Sequence, residues 1–161
     1  MPSPGDMSGR AAIVTGAAAG LGRATALRLA RAGAAICLVD IDEGGLARTA
    51  SEIEELDVPT LLQAKDLAQS ECAGEVVAHA RAKFGRLDAL CNVAAVFTPG
   101  HTTDVDDEQW DRTVAVNLSA PFRLTRAAIP HLLETSGAVV NVTSCAAFQG
   151  QAYTAAYCAT K

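Results

Sequence analysis

The chain has 161 residues, half of them hydrophobic, few aromatics and a formal net charge of −5. That length suits one domain with a real core, and the acidic balance offers no electrostatic footprint for nucleic acid. No apolar run reaches the ~18 residues of a membrane span, and Met1-Pro2-Ser3-Pro4-Gly5-Asp6 lacks the basic and apolar regions of a signal peptide. Residues 1–7 therefore read as a flexible leader, residues 8–161 as the folded domain, and the chain as cytoplasmic.

Ala11 to Thr15 reads as a short buried strand, followed directly by Gly16-Ala17-Ala18-Ala19-Gly20-Leu21-Gly22. An apolar-periodic helix then runs from about Leu21 to Ala32 and stops at Gly33. Strand, glycine turn and helix form the context that a dinucleotide fingerprint requires. Gly16 suits the tight turn, Gly20 the approach of backbone to a pyrophosphate, and Gly22 close packing of helix on strand. The helix N-terminus would offer free N–H groups to phosphates. No Lys-Ser/Thr pair follows, which disfavours a nucleoside-triphosphate loop. A plain Ala/Gly-rich loop would have the same local sequence.

Ala34 to Val39 is a second buried strand without polar alternation, as expected where helices cover both faces of a sheet. Asp40 follows it, at about the distance where a carboxylate meets an adenosine ribose. An ordinary strand-end turn residue is the other reading. A helix spans about Glu43 to Leu56, and Val58-Pro59 leads into a third strand, Thr60 to Ala64. The next helix, about Ser70 to Phe84, carries Cys72, Val76, Val77, Ala80 and Phe84 on its inner face and ends at Gly85.

Leu87 to Val93 is the fourth strand. A long helical stretch follows from about Asp107 to Leu133, with Pro121 as a possible kink. Gly137 to Val142 is the fifth strand. The last helix begins no earlier than about Ala152. Alternating strands and helices imply a parallel sheet with right-handed crossovers.

Tyr157 and Lys161, four apart, share one helix face. An ammonium beside a phenol favours the phenolate, which suits proton exchange with an alcohol or carbonyl. A surface aromatic is the plain alternative. The five cysteines have no metal-like spacing and read as free thiols, mostly buried. His79, His101 and His131 have no partner pattern, and no metal is expected.

Together these landmarks resemble the short-chain dehydrogenase/reductase family in its shorter, single-domain form. They are Thr15-Gly16-x-x-x-Gly20-Leu21-Gly22, Asp40, Asp66-Leu67, Asn92-Val93-Ala94, Asn117, Ser144, Tyr157 and Lys161. The resemblance implies an α/β doubly wound Rossmann sheet of five strands in order 3-2-1-4-5. The family continues with two more strands and further helices, so the chain is expected to be incomplete at its C-terminus. The fifth strand, with Val139, Val140 and Val142, would then be an under-covered edge prone to self-association.

The resemblance also implies NAD as cofactor. Gly16, Gly20, Leu21 and Gly22 would face its phosphates, and Asp40 with Ile41 its adenosine ribose. Asp66 and Leu67 would lie at the adenine, Asn92 and Ala94 under the nicotinamide-side ribose. Asp40 would accept from a 2′-OH and repel a 2′-phosphate, and Ala19 stands where NADP-preferring relatives often carry a basic residue. The family's Asn-x-Ala-Gly is Asn92-Val93-Ala94-Ala95 here, which puts a Cβ where backbone packs closely.

For catalysis the resemblance implies Tyr157 as proton donor and acceptor. Lys161 would tune the tyrosine and hold ribose hydroxyls, Ser144 would orient the substrate oxygen, and Asn117 would hold a water. Ser144 as a loop cap and Asn117 as a packed helix residue stay open. The implied activity is NAD-dependent interconversion of a secondary alcohol and a ketone, with a small-molecule substrate and a homo-oligomer in the full-length form. A catalytically impaired nucleotide-binding fragment of such an enzyme is the alternative. Ala146, Phe148, Gln149, Tyr153 and the stretch Val96 to His101 are the substrate-facing candidates.

Overall fold

The computed structural model describes residues 5–161. The first four residues of the expected leader lie outside the described residues. Within the rest of it, the Met7 N–H donates to the Ala32 carbonyl at 2.7 Å, and the Met7 side chain packs against the core.

Five strands form one parallel sheet: β1 (Ala11–Thr15), β2 (Ala35–Asp40), β3 (Thr60–Ala64), β4 (Ala89–Asn92) and β5 (Ala138–Asn141). Their order is β3-β2-β1-β4-β5, as expected. Ala11 pairs with Ala35, Ala12 with Ala89, and Leu90 with Val139. The helices are α1 (Gly20–Arg31), α2 (Glu43–Glu54), α3 (Cys72–Phe84), α4 (Asp107–Val114), α5 (Ala120–Thr135) and α6 (Ala155–Thr160). Among the described residues, no helix is long and apolar enough to cross a membrane.

The unbroken apolar runs of β1 and β2 have a simple cause. Successive strand residues point to opposite faces of a sheet, and both faces here are apolar. Ala12, Val14, Ile36 and Leu38 enter the layer under α1 and α2. Ile13, Cys37 and Val39 enter the opposite layer with α3 and α5. Cys37, Cys72 and Cys91 are buried free thiols, and desolvation pushes the Cys37 thiol up to about 12.

The stretch expected as one helix from Asp107 to Leu133 is divided. α4 passes through a π-helical turn, Ala115–Ser119, into α5. Pro121 stands in the first turn of α5, where its missing N–H is tolerated. The wider turn places Asn117 against the loop after β4, as described below. The final helix starts at Ala155, because Tyr153 at φ 65° and Thr154 at φ −132° interrupt helical geometry just before it.

The chain moves from β1 outward to β3, then returns to place β4 on the other side of β1. Sheets of this kind open a crevice beyond the carboxyl ends of their strands at that reversal. The ends of β1, β2, β4 and β5 carry Thr15, Asp40, Asn92 and Asn141 to this edge.

Candidate active site

The loop after β1 is shaped by close backbone contact. A Cβ on Gly22 would lie 2.0 Å from the Gly16 carbonyl oxygen, so only glycine fits where α1 crosses the turn. Gly16 has φ 68°, and a Cβ there would meet the Ala94 backbone at 3.0 Å. The first residue before α1 is Ala19, and no side chain caps the helix. The N–H groups of its first turn are therefore free to meet an anion. Arg23 is turned away to Glu52 of α2.

Asp40 closes β2 with both oxygens in use. One accepts from the Ala18 N–H at 3.1 Å, the other from the Asp42 N–H at 3.1 Å. The first bond ties the carboxylate to the glycine loop, and the second is the local bond of a strand-end turn residue. A cleft of about 430 Å³ opens beside it, lined by Gly16, Asp40, Ile41, Asp66, Leu67 and Ala94 among others. Six residues assigned to a dinucleotide thus border one cleft. Leu21 is exposed at the start of α1.

Arg112 also borders this cleft, and sequence reasoning missed it. It reaches from α4 to Asp66, with one nitrogen 2.7 and 2.6 Å from the two carboxylate oxygens. The Arg112 guanidinium holds the Asp66 carboxyl below the usual carboxylate range. Glu108, four residues back on α4, is the nearer neighbour along the helix. Only the tertiary fold brings Asp66 to Arg112.

At the end of β4, the buried Thr15 hydroxyl accepts from the Val93 and Ala94 N–H groups at 2.9 and 3.0 Å. It fixes the following loop. Ala95, the departure from the family pattern, has no positive φ; only Asp57, Ser136 and Tyr153 do among the described non-glycine residues. Its backbone conformation is open to any residue. The Asn92 amide donates to Asn141 at 2.8 Å and braces β4 against β5, while its own carbonyl oxygen is buried without a partner.

Asn117, in the π turn, binds Val96 at both ends: its carbonyl accepts from the Val96 N–H at 2.8 Å, and its amide donates to the Val96 carbonyl at 2.9 Å. The amide also donates to Thr160 of α6 at 3.2 Å. This one side chain joins the loop after β4 to the helix that carries Tyr157. Thr160 is a second residue that sequence reasoning passed over.

Just past the end of α6, the Lys161 ammonium lies 5.5 Å from the Tyr157 ring centroid and donates to the Val142 carbonyl at 3.1 Å. Partial burial lowers its pKa from the usual lysine value. Phe97 packs edge-on against Tyr157 with centroids 5.0 Å apart. Ser144 follows β5, and its hydroxyl oxygen accepts from the Ala146 N–H at 3.2 Å, capping a short 3₁₀ turn. That is the capping role the sequence left open. A hydroxyl that accepts one bond keeps its own proton to donate. A hollow of about 840 Å³ beside Lys161 is bordered by Asn92, Asn117 and Thr143.

The cradle at Gly22, the uncapped start of α1 and the carboxylate-lined cleft fit a dinucleotide. The profile of the short chain dehydrogenase family matches residues 10–161. The chain belongs to this family. Its sheet is of the Rossmann type. It is 34% identical over 156 residues to the 2,5-dichloro-2,5-cyclohexadiene-1,4-diol dehydrogenase of Sphingobium indicum, covering 96% of this chain and 62% of that one. The carveol dehydrogenase of Mycobacterium avium, solved in complex with NAD, superposes with a TM-score of 0.91 at 28% identity, over 98% of this chain and 62% of the other. A short chain dehydrogenase of Mycobacterium paratuberculosis bound to NAD gives 0.91 at 27% identity, over 96% and 63%. The chain thus spans less than two thirds of the length of these relatives.

Proposed function

We propose that the protein is an NAD-dependent oxidoreductase that interconverts a secondary alcohol and a ketone, with Tyr157 as general acid and base. The observation that carries this reading is Tyr157 on α6 with Lys161 four residues on, just past the helix end, and α6 tied by Asn117 to the loop after β4. The NAD complexes of two similar structures support the cofactor, and relatives named as diol and carveol dehydrogenases support the alcohol.

Gly16, Gly20, Leu21 and Gly22 would hold the pyrophosphate against the free N–H groups of α1. Asp40 and Ile41 would meet the adenosine ribose, Asp66 and Leu67 the adenine, and Ala94 the second ribose, with Asn92 bracing the strand beneath. The carboxylate of Asp40 accepts from a 2′-OH and repels a 2′-phosphate, which favours NAD over NADP. When bound, the nicotinamide takes up or gives a hydride.

The protein's own part is the proton. Tyr157 would take it from the substrate hydroxyl in oxidation and return it in reduction. Lys161 stands 5.5 Å from the Tyr157 ring centroid and would bond ribose hydroxyls. Ser144 would donate its O–H to the substrate oxygen. Asn117 acts as a positioning residue through its side chain. Asn117 is also the residue we assign to hold a water linking Lys161 to solvent.

The test is Tyr157→Phe, which removes the proton donor and leaves the ring against Phe97. Alcohol-dependent NADH formation should fall at least a hundredfold, in line with the usual contribution of a general acid or base, while calorimetric NAD affinity stays within twofold. A variant that keeps most of its kcat would move the acid–base role elsewhere.

A further inference from the structure

We infer that the alcohol or ketone reaching Tyr157 is uncharged and carries an apolar ring, and that Phe97 and Tyr153 are the walls that receive it. The inference rests on the function proposed above and narrows its substrate.

Two segments meet beside the Tyr157 phenol: the loop after β4 and the stretch from β5 into α6. Neither Ala89 to Thr103 nor Thr135 to Thr160 contains a single Asp, Glu, Lys or Arg, in a chain that is 19% charged. A phosphate or carboxylate on the substrate would find no cation in either segment. Arg112 is committed to Asp66 on the cofactor side, and Lys161, which follows the second segment, donates to the Val142 carbonyl and is assigned above to the ribose hydroxyls. Burying an unpaired anion against such surfaces is strongly unfavourable.

The same segments present rings. Phe97 and Tyr153 are each 55% exposed, although both sit in ordered contacts. Phe97 stacks edge-on against the catalytic phenol. Tyr153 is held from two directions: the Gly100 N–H donates to its carbonyl at 2.9 Å, and the His101 ring meets its ring edge-on at 4.7 Å. It is held so in the left-handed region, at φ 65°, a conformation that a bulky residue keeps only where surroundings over-determine it. The two segments are thereby clasped at Gly100–Tyr153, and each carries an exposed ring. Ring faces left to solvent beside a reacting group are matched by an apolar ring, which they would cover and orient.

The experiment titrates the 161-residue chain, saturated with NAD, with 2-tetralol as the ring alcohol and 3-hydroxybutyrate as an anionic alcohol, by calorimetry. We expect 2-tetralol to bind at least tenfold more tightly than 3-hydroxybutyrate. Phe97→Ala and Tyr153→Gly, the latter tolerant of positive φ, should each weaken 2-tetralol at least fivefold and leave NAD affinity within twofold. Phe97→Arg should shift the preference toward 3-hydroxybutyrate. Equal or tighter binding of the anion, no binding of 2-tetralol, or unchanged 2-tetralol affinity in both truncating variants would overturn the inference. Failure of NAD itself to bind would instead remove the function on which it rests.

Discussion

β1 and β5 belong to one sheet, yet they are held in different ways. Every residue of β1 is buried, and its neighbour β2 is buried through its four central residues. In β5 only Val139 is half-buried; Val140 is 51% exposed, and Leu133 and Phe122 on the adjoining α5 are 77% and 63% exposed. The proposed cofactor side of the molecule is fixed by backbone proximity and by apolar layers on both faces. The proposed catalytic side is fixed by a few long-range polar links: Asn117 to Val96 and Thr160, Asn92 to Asn141, and Lys161 to Val142. Burial there contributes less, so single polar side chains carry more of the geometry.

The widest separation should come from core truncation. Leu38→Ala removes a fully buried side chain between α1 and α2 and should cost about 2–5 kcal/mol. Val140→Ala, on the half-exposed strand, should change stability by no more than about 0.5 kcal/mol. Urea titrations of both variants measure the contrast, and equal losses would erase it.

Gly22→Ala should come next. Its Cβ collides with the Gly16 carbonyl, and overpacking of this kind costs about 1–3 kcal/mol. Because relief requires the glycine loop to shift, NAD affinity should fall as well. Ala95→Gly, in a loop without positive φ, should leave NAD affinity nearly unchanged by the same assay.

The smallest effect concerns Arg112→Ala. Arg112 lowers the Asp66 pKa in the folded state, so the pair's stabilisation is present above the ordinary carboxylate pKa and is lost as pH falls through the lowered folded value. The variant should be less stable by up to about 1 kcal/mol at neutral pH, since the pair is partly exposed. The difference should vanish in strong acid. Thermal melts across pH 2–7 would show it, and a gap that widens on acidification would contradict the assignment.

The same contrast governs what the sequence revealed. β1 and β2 were legible as continuous apolar runs because both of their faces are buried. The glycine turn was legible because Gly22 answers a local steric need. Tyr157 and Lys161 were legible because their link is a single helical turn. The π turn at Ala115–Ser119 was not, because what it achieves is an Asn117–Val96 contact across 21 residues. Arg112 and Thr160 were hidden for the same reason. Tyr153 was a substrate-facing candidate, but its left-handed backbone at φ 65° gave no signal, because tyrosine rarely adopts positive φ and nothing local demands it.

The central claim is that Asp40, fixed by the Ala18 and Asp42 N–H groups, makes the cleft beside β2 an NAD site. The most direct measurement is a calorimetric titration of the protein and of Asp40→Ala with NAD and NADP. The account predicts tighter binding of NAD by the unaltered chain, and a preference reduced by about one to a few kcal/mol in Asp40→Ala, given partial solvent screening. Equal or tighter binding of NADP by the unaltered chain would contradict it.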